Sequence, residues 1–431
     1  MSDKVKNTNG NRHNPTVAMI LSIIFAGLGQ FYNRRFFKGT LFLIIEAAFL
    51  IAFLDFINIG LWGIRTLGEI PKVDHSIFLL IQGLVSTILV VFAVGLYVLN
   101  IMDAKRDALS IKEGKRKPNF MEAINNAWDI GFPYIFVTPG LILLIFIVVL
   151  PLLFMVSLAF TDYNLYNSPP RNLLNWVGFT NFIDLVSIPI WKNTFLTVFS
   201  WTLIWTLVAT TLQVSLGLFL ALLVNDPRVK FKRLIRTFLI LPWAVPAFIT
   251  ILIFAAMFND KFGAINRDIL SNFGVMIPWL SDPFWTKVAL IMIQTWLGFP
   301  FIFALFTGVL TSISKDWYEA ADVDGGTRWQ KFRFITLPHV LFATAPLLIM
   351  QYAGNFNNFN IIYLFNEGGP AVRGQNAGGS DILISWVFGL TFETNNYNMA
   401  AAISIIIGIM VSGFAVFQFR RTRSFKEEGN I

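Results

Sequence analysis

Two stretches of this 431-residue chain place carboxamides inside otherwise apolar segments. In the first, Gln294, Gly298 and Phe301 recur at i, i+4 and i+7, with Trp296 and Leu297 beside them. In the second, Gln351, Asn355 and Asn358 repeat that spacing, and Gly354 opens room next to them. On a helix such positions share one face. Polar side chains within apolar helices need a reason, and two are available. Amides hydrogen-bond across packed helices while glycines let the backbones approach. Alternatively, the two stripes offer amides for the hydroxyls of a glucoside and flat aromatic faces for its C–H surfaces. The residues alone leave both readings open.

A third polar stretch lies between them. From Asp316 to Pro338 it carries seven charged residues, yet apolar runs flank it on both sides. Ser314 is placed to cap a short helix through Asp316-Trp317-Tyr318-Glu319-Ala320-Ala321, with acidic residues in its first turns. Gly325-Gly326 supplies the left-handed conformation that ends it. Thr327-x-x-Gln330 fits a capping box for a second helix, and Pro338 is expected to end that helix and open the next apolar segment. The pattern predicts a helical hairpin of about 20 residues. Its bland alternative is a solvated loop that happens to be helical.

The elements that must hold these groups are membrane helices. Hydrophobic residues make up 55% of the chain and charged ones only 13%, with 45 Phe and 13 Trp; a soluble protein carries about 25% charged residues. Apolar stretches at 16–32, 40–60, 77–102, 133–159, 195–224, 237–257, 287–312, 339–364 and 398–419 indicate a polytopic membrane protein. Segments 1–15, 33–39, 103–132, 225–236, 313–338 and 420–431 hold 25 of the 33 Lys and Arg. That bias assigns these segments, and with them both termini, to the cytoplasm. The net charge of +8 is therefore topological and implies no nucleic-acid partner. The stretch 16–32 has basic segments on both sides and is at the short limit for crossing, so a partly inserted or interfacial segment is expected, followed by eight spans. The N-terminus shows no cleavable signal.

Catalytic chemistry is poorly supplied. With no cysteine and three scattered histidines, thiolate and imidazole metal sites have no material. No P-loop, H-E-x-x-H or G-x-S-x-G motif occurs, and the spans after residue 133 are almost free of charge. A self-contained secondary carrier would need intramembrane carboxylates and broken helices, and a membrane enzyme would need a catalytic constellation. The energy for transport is expected from elsewhere.

The hairpin residues carry a resemblance. Glu319, Ala320, Ala321, Gly325, Ile335, Leu337 and Pro338 fit E-A-A-x3-G-x9-I-x-L-P, a pattern similar to the coupling loop of ABC importer permeases. The resemblance spans about residues 133–425. WVGFTNF (Trp176–Phe182), NTF (Asn193–Phe195), LGLFLALLVN (Leu216–Asn225), LPWAVPAFI (Leu241–Ile249) and TWLGFPF (Thr295–Phe301) resemble the sugar-importer branch. GNFNNFNIIYLFNEGGP (Gly354–Pro370) is similar to the larger permease subunit of maltose and maltodextrin importers. The short 161–194 segment lacks that subunit's large extracytoplasmic insertion in proteobacteria, and 16–38 is extra, both as in Gram-positive relatives.

The resemblance implies an all-α ABC importer type I permease fold in the bacterial plasma membrane. It also implies a division into an N-terminal region 1–132, a permease core 133–425 containing the hairpin 313–338, and a tail 426–431. The hairpin residues would dock on an ATPase, with Glu319 in an ion pair. Maltose-contacting positions of the family map to Gln294, Leu297, Gly298, Phe301, Gln351, Gly354, Asn355 and Asn358. Four of these keep the family's residue type; Gln294 stands for an Asn, Phe301 for a Tyr, Gln351 for a Ser and Gly354 for a Phe. Expected partners are a second homologous permease, two ATP-binding subunits, an extracellular lipid-anchored binding protein and an oligosaccharide. No cofactor is expected in this chain, ATP and magnesium belonging to the ATPase.

Overall fold

The computed structural model describes residues 14–113 and 120–421. The N-terminal tail to residue 13, the basic run 114–119 and the tail from 422, including the expected segment 426–431, lie outside the described residues. The described residues are helical throughout, apart from connecting loops and two isolated β-bridges. The chain divides by its contacts into two units, Met1–Val177 and Gly178–Ile431.

The first unit opens with α1 (Pro15–Ile24) and α2 (Leu28–Tyr32), followed by the long helices α3 (Phe36–Thr66) and α4 (Ser76–Lys112). Residues 16–32 thus form no single spanning helix. At 1.5 Å per residue α1 reaches only about 15 Å, half a bilayer core. Gly27 turns the chain between α1 and α2 at φ +88°. The break frees backbone donors in an apolar setting, and intramembrane polar groups meet them. Glu46 accepts from Ala26 N–H at 2.9 Å and Asn100 Oδ1 from Gly27 N–H at 3.3 Å. Lys38 at the start of α3 pairs with Asp103 and Asp107 of α4 at 2.8 and 3.2 Å. The third long helix is α5 (Phe120–Leu144), which runs through a widened turn, Ile145–Val149, into α6 (Leu150–Leu158).

The second unit begins with α7 (Thr180–Ser187) and α8 (Pro189–Asn225). There follow α9 (Lys232–Ala244), α10 (Ala247–Met257), α11 (Pro283–Ser312), α12 (Lys315–Val323) and α13 (Arg328–Lys331). The unit closes with α14 (Leu337–Phe356), α15 (Phe359–Asn366), α16 (Leu383–Phe392) and α17 (Tyr397–Arg421). Helices α8 and α11 pack along each other and are flanked by α14 and α9. Trp201, Trp205, Phe258, Trp279, Leu290, Ile293, Ile361 and Phe365 form a buried cluster there. A second cluster, around Phe299, Ile302, Phe303 and Phe306 of α11, meets Ala221, Val224 and Val340.

Among the described residues, seven helical stretches are long and apolar enough to cross a membrane, or eight if the bent pair α9–α10 counts as one span. The apolar stretch at 237–257 falls on that pair, which is broken. The chain bends by 87° between α9 and α10. Val245 takes an extended conformation because the ring of Pro246 disfavours the helical one in the residue before it. One correction concerns Asn358. The helix carrying Gln351 ends at Phe356, so Asn358 stands at the cap of α15 and not on the same helical face.

Candidate functional site

The polar stretch at 313–338 folds as its residues predict, with one exception. Ser314 caps α12 by accepting from Asp316 N–H, and Thr327 and Gln330 form a complete capping box at α13. Gly325 lies at φ +73°, the left-handed turn that joins the two helices. Lys331 pairs with Asp322 across the turn, and Tyr318 Oη meets Thr336 Oγ1 at 2.9 Å, so the arms are tied twice. The exception is Pro338. It does not end the second arm, which continues through a widened turn (Phe332–Thr336) into α14, where Leu337 N–H donates to the Phe332 carbonyl. Pro338 has no N–H to extend the ordinary ladder, and the wider turn absorbs that loss. The second arm and the following span are one continuous rod.

Glu319 is exposed and has no ion-pair partner among the described residues. Trp317, Val323 and Trp329 of the same hairpin are exposed too, Val323 by 89%. Ala320 is exposed and Ala321 half-buried, while Ile335 and Leu337 are half-buried at the base.

Residues of α9–α10, α11, α14 and the α14–α15 break line an open cavity of about 500 Å³, a size typical of ligand clefts. Six of the nine residues singled out from the amide stripes line it: Gln294, Leu297, Gly298 and Phe301 from α11, with Gln351 and Asn358. Three do not. Trp296 is 46% exposed and packs edge-on against Phe299. Gly354 faces open space. Asn355 is 2% exposed and sits in a hydrogen-bonded seam between helices. It accepts from Gln294 Nε2 at 2.8 Å and donates to Thr210 Oγ1 at 2.7 Å. For Asn355, helix-to-helix bonding is what the geometry contains.

Three residues escaped the sequence reading. Trp243 lines the cavity from the α9–α10 elbow and meets Phe301 edge-to-face at 5.9 Å. Its signal was a Trp between two prolines, in LPWAVP. Asn360 also lines the cavity, one residue into α15. Gln213 of α8 is fully buried, donates to the main-chain carbonyl of Gln294 on α11 and accepts from the side-chain amide of Gln351 on α14. Between Asn193 and Asn225 it is the single charged or carboxamide side chain in the sequence. None of the cavity-lining side chains is charged.

On the loop before α16, Asp381 accepts from Ser385 Oγ and from Gly378 N–H, each at 2.7 Å. Burial outweighs those bonds and raises its carboxyl to about 6.

Residues 213–424 match the family described as binding-protein-dependent transport system inner membrane component. The chain is 51% identical to the galactooligosaccharides transport system permease protein of Bacillus subtilis, over 96% of this chain and 99% of that one. It is 45% identical to the maltodextrin transport system permease protein of Streptococcus pneumoniae, over 98% and 100%. Among solved structures, a bacterial ABC transporter involved in import of the acidic polysaccharide alginate aligns with TM-score 0.57 at 22% identity, over 70% of this chain and 98% of that one.

Proposed function

This chain belongs to the family of binding-protein-dependent transport system inner membrane components, and on that premise we propose that it forms half of the sugar pathway of an ABC importer. It is a multi-pass plasma-membrane permease subunit, and the near full-length relatives are oligosaccharide permeases. The proposed cargo is a maltodextrin, a galactooligosaccharide or a related linear oligosaccharide. The observation that carries this reading is the uncharged cavity, where free amides and the Trp243–Phe301 corner converge. Amides suit sugar hydroxyls, and aromatic faces suit the C–H side of a pyranose ring.

ATP chemistry is assigned to a partner. Two ATP-binding subunits would close on ATP, and the exposed Glu319, with Trp317 and Trp329 of the same hairpin, would seat in one of them. Because the hairpin's second arm runs unbroken into α14, displacement at the hairpin is delivered as rigid-body motion to Gln351. Alternating access then follows from nucleotide favouring one of two states. A second homologous permease would supply the other half of the pathway, and an extracellular lipid-anchored binding protein the loaded sugar. The test is reconstitution of the assembled complex in proteoliposomes with labelled maltotriose and galactotriose. ATP-dependent accumulation of either supports the reading; accumulation of neither, in complexes that hydrolyse ATP in response to loaded binding protein, refutes the cargo class.

A further inference from the structure

We propose that Gln213 is the positioning residue that fixes which way two cavity amides point, so that their oxygens stand ready for the hydroxyls of an uncharged sugar. This rests on the reading of the cavity as the sugar site.

One group in the seam has chemistry without ambiguity. The main-chain carbonyl of Gln294 can only accept, so the end of Gln213 that meets it at 2.9 Å is the NH2 group. The oxygen of Gln213 therefore faces the other way. There it accepts from Gln351 Nε2 at 2.9 Å and from Asn355 Nδ2 at 3.3 Å. With its nitrogen also on Thr210 Oγ1, Asn355 offers its oxygen to Gln294 Nε2 at 2.8 Å. The two amides that both join this seam and line the cavity, Gln294 and Gln351, thus have their nitrogens engaged inside the protein. Each keeps its second amide hydrogen and leaves an oxygen that meets no donor among the described residues, and the bond its nitrogen makes fixes where that oxygen stands. A buried network of this kind is set as a unit, because reversing one amide would oppose like ends at its neighbours.

Two fixed acceptors and no charged lining define what fits. Hydroxyl groups can donate to both oxygens. A carboxylate-bearing sugar meets two fixed oxygens and no cation, so only neutral amide N–H groups replace its lost hydration. Asn358 and Asn360 make no side-chain hydrogen bond among the described residues, so they can rotate to donate or accept. Gly298 is part of the same arrangement: a Cβ there would stand 2.3 Å from Gln213 Cδ and push the hub aside.

The test is a double-mutant cycle on the full complex with its ATPase and binding protein, using labelled maltotriose and galactotriose and reading sugar delivered per ATP hydrolysed. Gln213→Met keeps the volume and removes the polar ends; it should lower that ratio about five- to ten-fold. In a Gln351→Leu background the same change should lower it by less than about two-fold, since the one cavity side chain that bonds Gln213 directly is gone and Gln294 keeps its bond to Asn355. Effects that multiply, or an unchanged ratio for Gln213→Met, overturn the proposal. Where Gln213→Met does not assemble, Gln213→Glu, which loses the donor to the Gln294 carbonyl, runs through the same cycle, and the same two results overturn it. Gln351→Leu alone separates the two levels: no effect from it refutes the sugar-site reading, whereas a loss there with multiplying effects refutes only the role of Gln213.

Discussion

The side-chain amide of Gln294 donates to Asn355 Oδ1 at 2.8 Å, in a buried seam between α11 and α14. Asn358, three residues along, lines the cavity instead. Two amides in one short motif therefore have different work, and substitution should separate them. Asn355→Leu strips partners from Gln294 and Thr210 and should cost about 2 kcal/mol, seen as a lower melting temperature of the assembled complex. Asn358→Leu should leave that temperature unchanged and abolish sugar uptake. Stable complexes with Asn355→Leu that lose only transport would contradict the assignment.

Trp243 is 59% exposed, so its removal tests the cavity with little cost to the core. Trp243→Ala should reduce uptake of labelled trisaccharide about ten-fold through loss of ring stacking, a contact worth roughly 1 kcal/mol or more. Trp243→Phe should recover most of it. Uptake that is indifferent to both would move the sugar elsewhere.

Glu319 makes no ion pair within the described residues, so its charge has no folding role to lose. Glu319→Lys should leave thermal stability within about 0.5 kcal/mol. It should abolish uptake and the stimulation of ATP hydrolysis by loaded binding protein, because reversing one partner of a docked pair costs about 2–5 kcal/mol. Normal uptake by the reversed-charge variant would remove the docking role.

Asp381 gives a pH dependence with a definite sign. Its carboxyl is raised from 3.8 to about 6 in the fold, so the folded state binds the proton more tightly than the unfolded one. The stabilising contribution is fully present below about pH 4 and is lost as pH rises through 6. It amounts to about 2–3 kcal/mol. The melting temperature of the wild-type complex should therefore fall between pH 4.5 and 7 by a component that is missing in Asp381→Asn. Identical profiles for the two proteins would show that the raised pKa does not report on folding.

Much of this was legible without coordinates because it is local. A helix cap, a capping box and a left-handed glycine involve residues within a few positions of one another, so Ser314, Thr327, Gln330 and Gly325 predicted the hairpin from spacing alone. Span positions followed from length and hydropathy for the same reason. Two of the misreadings share a cause: a bend or widened turn changes what a proline does. Pro246 sits at an 87° corner, whereas Pro338 lies inside a continuous rod. Whether neighbouring turns can take up the missing donor depends on what packs around them.

The sequence by itself determined that this is a polytopic membrane protein with a polar helical hairpin between two amide-bearing spans. Only the tertiary structure decided which amide faces the cavity and which faces a neighbouring helix. Spacing places residues around one helix axis, but the rotation of that axis is set by every contact with its neighbours. Here the contact that matters most comes from Gln213, 81 residues before Gln294 and 138 before Gln351. No pattern along the chain can register a bond made across that distance, and it is that bond which turns a row of amides into a site with a direction.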